Sequence, residues 1–155
     1  MGIEEFLQDP CSTTGYFKQL SHNYELEILQ HGMNGDNFER IIAIYLNKIP
    51  CMLAISKTKI KFPLFFDILQ NAGHIPIGTR LFATESNISR INLQIGKAVL
   101  TDIHNVRILE FLQNMKYSTD DLYYRTSDFI HQEQIMHLDE YALPGLIKIL
   151  ANTKL

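Results

Sequence analysis

Residues 24 to 60 carry the pattern that most restricts the fold. In "YELEILQH" (24–31), Tyr24, Leu26 and Ile28 alternate with Glu25 and Glu27, the period-2 signature of a half-buried strand. A glycine and asparagine cluster, "HGMNGDN" (31–37), turns the chain. The β-branched run "FERIIAIYL" (38–46) then reads as a second strand, "NKIP" (47–50) as another turn and "CMLAISKTKI" (51–60) as a third strand. Short turns between successive strands dictate antiparallel pairing.

The period then changes. In "PLFFDILQNAG" (63–73), Leu64, Phe65, Ile68, Leu69 and Ala72 recur at helical spacing, with Pro63 suited to the first turn and Gly73 to the stop. "TESNISRINLQIGK" (84–97) also reads as a helix: Thr84 or Ser86 can cap it, Ile88, Ile91 and Ile95 share a face, and Gly96 ends it. "DIHNVRILEFLQNM" (102–115) fits a helix through Val106, Leu109 and Leu112, although "VRIL" could extend as a strand. "DLYYRTSDFI" (121–130) and "QIMHLDEYAL" (134–143) read as two strands joined by "HQE", and Pro144 stops the second. A short helix or tail follows, and residues 1 to about 11 read as a loose arm with a helical turn at Ile3 to Leu7. Strands, then helices, then strands give an α+β fold on one antiparallel sheet, within a single domain spanning 1–155.

With 46% hydrophobic and 20% charged residues, the chain has the material for a real core. Its net charge of −3 argues against nucleic acid as main partner, since phosphate binding requires a basic face. No apolar run approaches the roughly 18 residues of a membrane span. "MGIEEF" lacks a basic leader region, and Phe6 stands where a myristoylation site has Ser or Thr. Cys11 and Cys51 form no CxxC and are expected to be reduced thiols. The six histidines make no HxH or HExxH, so no metal site is expected, and no GxGxxG or GxxxxGK[ST] loop is present to cradle a nucleotide.

Two charges fall on apolar faces. Arg40 shares its strand face with Phe38, Ile42, Ile44 and Leu46, and Glu140 shares its own with Met136, Leu138 and Ala142. A buried guanidinium requires an anion, and its fork suits a carboxylate in two-pronged fashion. An inward carboxyl among apolar groups should be harder to ionise, as a proton donor near neutrality must be. Either the two form an internal salt bridge, or they line a pocket for a small molecule.

Four segments together resemble the chorismate lyase family: "STTGYFKQLSHNYELEILQHG" (12–32), "RIIAIYLNKIPCMLAIS" (40–56), "IPIGTRLFATESNISR" (75–90) and "IMHLDEYALP" (135–144). The resemblance implies an antiparallel sheet of about six strands with helices over a buried ligand cavity. It implies release of 4-hydroxybenzoate and pyruvate from chorismate without a cofactor, as in quinone biosynthesis. On this reading Arg40 clamps the ring carboxylate, the backbone N–H of Ile77 meets the same group, and Thr13 is an N-terminal pocket contact. Glu140 lies near the ring's 4-position oxygen and manages proton transfer at the ether. Arg80, Arg90 and Arg125 are secondary candidates for steering the anion or neighbouring the pocket. The implied partners are chorismate and an aromatic acid, with no nucleic acid and no membrane insertion, in a cytoplasm or a plastid stroma. Two departures bear on activity: Gly15 stands where the family commonly has a basic residue, and 101–121 is longer than in the compact bacterial form. They open a second possibility, a non-catalytic module that binds or senses a small aromatic acid on the same fold.

Overall fold

The computed structural model describes residues 2–9, 17, 23–75, 77–78, 81, 87–97, 100–117 and 122–152. Six strands form one sheet: β1 (Tyr24–Asn34), β2 (Asn37–Leu46), β3 (Ile49–Lys59), β4 (Ser89–Lys97), β5 (Tyr123–His131) and β6 (Gln134–Ala142). The spatial order is β1-β2-β3-β6-β5-β4, with every neighbouring pair antiparallel. The four described α-helices are α1 (Ile3–Gln8), α2 (Pro63–Gln70), α3 (Val106–Asn114) and α4 (Pro144–Asn152).

The first three strands are a meander built by local turns. Asn47 and Lys48 both have positive φ, 52° and 64°, the mirror-image turn that matches the twist of a two-residue hairpin. Gly35, at φ 65°, serves the β1–β2 turn. After β3 the chain leaves the sheet, lays α2 across one face and returns as β4 on the far edge.

Each face has its own core. Phe38, Ile42 and Ile44 of β2 and Met136, Leu138 and Ala142 of β6 pack beneath α1, α2 and α4. Ile41, Ala43, Leu53 and Ile55 point the other way and pack beneath α3 through Ile108, Phe111 and Leu112. With both faces covered, the central strands β2 and β3 read as near-continuous apolar runs rather than strict alternations.

Two expectations require correction, and one left open is decided. Residues 89–97 form a strand, not part of a helix. A bulge at Asn92, φ 56°, shifts the register between Ile91 and Gln94 and puts Ile91 and Ile95 on opposite faces, and on this edge strand Ile91 and Leu93 stay 38% and 36% exposed, so helical burial never arises. Residues 84–86, with the expected caps, lie outside the described set. The N-terminal arm is docked rather than loose: Ile3, Phe6 and Leu7 sit at i, i+3 and i+4 and are buried against the core. The 102–115 segment resolves as helix α3, capped where the Asn105 side chain accepts from the Ile108 N–H at 3.2 Å. Cys51 is buried as a free thiol, its pKa pushed up to about 11 by burial.

Candidate ligand-binding site

Alternation along β2 and β6 places Arg40 and Glu140 on the same helix-covered face, and both are buried. They do not touch. Across the ladder Arg40 faces Ser56, which faces Leu138, while Ile42 faces Ala54, which faces Glu140. The two charges thus stand two strands apart and two residues out of register, about 12 Å between backbones, with the small side chains of Ser56 and Ala54 between them on β3. An Arg40–Glu140 salt bridge does not form.

Glu140 is bound by arginines instead. Its Oε1 accepts from Arg125 Nε at 2.7 Å and from Arg90 Nη2 at 2.9 Å, and its Oε2 accepts from Arg125 Nη2 at 3.0 Å. Arg125, directly opposite on β5, is 1% exposed and also donates from Nη1 to the carbonyls of Leu7 and Asp9, tying down the end of α1. Arg90, from β4, donates from Nε to the Ser127 hydroxyl at 2.9 Å and lies over the Phe129 ring. Burial and the neighbouring Arg125 charge lower the Arg90 pKa, partly countered by Glu140. The expected surroundings of Glu140 were apolar; two guanidiniums fill them.

Arg40 is different. It is 1% exposed, and one nitrogen, Nη2, donates to the carbonyls of Gly73 at 2.8 Å and Ile75 at 2.9 Å. Its Nε and Nη1 are buried with no hydrogen-bond partner, and it makes no salt bridge among the described residues. Burial lowers its pKa to about 10, with Tyr24 acting in the opposite sense, so it stays charged at neutral pH. Both carboxylate-binding forks of a guanidinium include Nη2, and here Nη2 already faces two carbonyls. The expected two-pronged clamp is therefore unavailable, whereas Nη1 and Nε can each donate singly.

Gly73 and Ile75, in the loop after α2, supply those carbonyls, and Ile77, in the helical turn that follows, is buried. Thr13 and Arg80 lie outside the described residues. The cavities traced by described residues lie away from Arg40: one at Lys97, Tyr124 and Tyr141, one at Glu25 and Tyr45, and one at Leu7 and Tyr123. No group of three potential metal ligands occurs among the described residues, and no described helix is long and apolar enough to cross a membrane.

Sequence reasoning named Arg125 and Arg90 only as secondary candidates and missed that they hold Glu140. The signal for Arg125 was present: a tight β5–β6 hairpin pairing His131 with Gln134 puts Arg125 opposite Glu140.

No protein-family model matches the chain, and no curated protein matches it. Among solved structures it is similar to the C-terminal domain of the histidine utilization repressor from Pseudomonas syringae pv. tomato str. DC3000. That match has a TM-score of 0.53 at 10% identity and covers 86% of this chain and 96% of that one. It is also similar to a GntR-family transcriptional regulator from Bacillus cereus, with a TM-score of 0.49 at 12% identity, covering 85% and 95% of the two chains. The resemblance to chorismate lyase thus extends to the fold, which such regulator domains share. The expectation of a lyase is corrected: the solved structure that shares this fold is the C-terminal domain of a repressor. The chain has the six-stranded α+β architecture of a repressor's C-terminal domain.

Proposed function

We propose that this chain is a non-catalytic binding module for a small aromatic acid, a sensor of the ligand rather than a converter of it. The observation that carries this reading is Arg40, a buried guanidinium with Nε and Nη1 unpartnered and no described carboxylate in contact. A charge in that position is costly unless an anion meets it. A ligand carboxylate accepting from Arg40 Nη1 and from the Ile77 backbone N–H would meet it, with its ring over Ala54 and Ser56. Glu140, Arg90 and Arg125 would then form the wall at the far end of the ring, rigid because each is tied to its neighbours. The regulator domains among the structural neighbours agree with a sensing role.

Isothermal titration with 4-hydroxybenzoate tests the reading. Saturable binding that weakens at least tenfold in Arg40→Met is expected. Binding indifferent to that substitution, or none in the wild type, would refute it. Chorismate incubated with the protein should release pyruvate no faster than in buffer.

A further inference from the structure

The opposite face of the sheet carries a constellation that the acid site does not use. A cavity of about 270 Å³ opens there against Asp102, Ile103, Tyr124, Thr126, Asp139 and Tyr141, with Lys97 also on its lining. The ladder builds it. Tyr124 faces Tyr141 across β5 and β6, and Thr126 faces Asp139 two pairs further on, so two rings and a carboxylate project from one patch. On β4 the residue opposite Tyr124 is Gly96, and a Cβ there would stand 2.9–3.0 Å from the Tyr124 ring. Glycine alone lets that ring lie against the β4 backbone.

Three carboxylates, Asp102, Asp128 and Asp139, stand around the patch. His137 lies between Asp128 at 2.6 Å and Asp139 at 2.9 Å, one cation shared between two carboxylates. Asp102 is exposed and makes no ion pair among the described residues. Of the two lysines nearby, Lys57 lies opposite His137 and its charge acts on Asp139. The Lys97 ammonium lies 5.9 Å over the ring of Tyr123, which points to the other face, and Lys57 lies 3.7 Å from Glu39. Aromatic rings beside carboxylates attract a weakly hydrated cation through both the ring quadrupole and the charge.

The geometry points to a second site in this cavity for a small organic cation, an alkyl or quaternary ammonium, seated against Tyr124 and Tyr141 with Asp102 and Asp139 as counter-charges. It is independent of the acid site in face, in residues and in the sign of the ligand.

The probes are choline and its neutral carbon analogue, 3,3-dimethylbutan-1-ol, titrated into the labelled whole chain by NMR at constant ionic strength. Choline should shift the amides of Tyr124, Thr126 and Tyr141 saturably and bind at least tenfold tighter than the alcohol. Gly96→Ala, which pushes the Tyr124 ring off its seat, should weaken choline at least tenfold. Asp102→Asn, a surface change that spares the core, should weaken it at least threefold, so the test survives if Gly96→Ala fails to fold. Arg40→Met should leave choline binding intact. Equal binding of choline and the alcohol, no saturable shift, or wild-type affinity in Asp102→Asn would overturn the proposal.

Discussion

Arg40 and Glu140 are both buried charges on one face of one sheet, yet their surroundings differ. At the Glu140 corner, two guanidiniums from β4 and β5 converge on one carboxylate, and one of them reaches on to the backbone of α1. At the Arg40 corner, a guanidinium meets only two loop carbonyls and keeps two nitrogens unpartnered. A charge enclosed by opposite charges holds a fold together. A charge left with open donors is poised for something that is not part of the fold. The distinction divides the two residues that the resemblance had joined in one catalytic scheme.

Glu140→Gln is the largest test of that division. It strands Arg90 and Arg125 without their shared anion, and breaking a buried pair from one side costs about 3–5 kcal/mol. Urea unfolding should show the loss, together with earlier proteolysis near α1. Stability close to wild type would mean that the Glu140 corner is not structural. Arg40→Met should cost less, under about 2 kcal/mol, because it removes an incompletely paired charge along with two carbonyl contacts. The same variant should lose at least tenfold in acid binding, about 1.4 kcal/mol. A stability loss equal to that of Glu140→Gln, with binding retained, would reverse the two roles.

The smallest expected effect lies on the other face. Hydrogen bonding to Asp139 first, and to Asp128 after it, raises the His137 pKa to about 9 against the opposing effect of burial. A group whose folded pKa is raised stabilises fully below its unfolded value, near 6.5, and loses that contribution as pH rises through about 9. The melting temperature should therefore sag between those pH values, and His137→Gln should flatten that limb. Because the ring is 42% exposed, the effect should stay below about 1 kcal/mol. An unchanged alkaline limb in the variant would remove His137 from the account.

Much of this was legible before any coordinates. Local turns and alternation located five of the six strands and put Arg40 and Glu140 on the covered face, because side-chain direction in a strand follows from counting by two. The rest was not legible. In and just before edge strand β4, Ile88, Ile91 and Ile95 recur at helical spacing, and the bulge between Ile91 and Gln94 breaks the strict alternation that marks a strand. Gly96 looked like a helix stop when its role is to admit the Tyr124 ring. The partners of Glu140 split along the same line: Arg125 follows from the β5–β6 hairpin register, whereas Arg90 enters from the misread strand. The carbonyls that hold Arg40 come from a loop more than thirty positions away, |i−j| of 33 and 35, and no local pattern encodes such a contact.

The side-chain N–H resonances of the arginines measure the central claim most directly. On titration with 4-hydroxybenzoate, the Arg40 Nε–H signal should move saturably, while that of Arg125, already engaged with Glu140, should stay in place. A stationary Arg40 signal, or a shift confined to Arg125, would contradict the account.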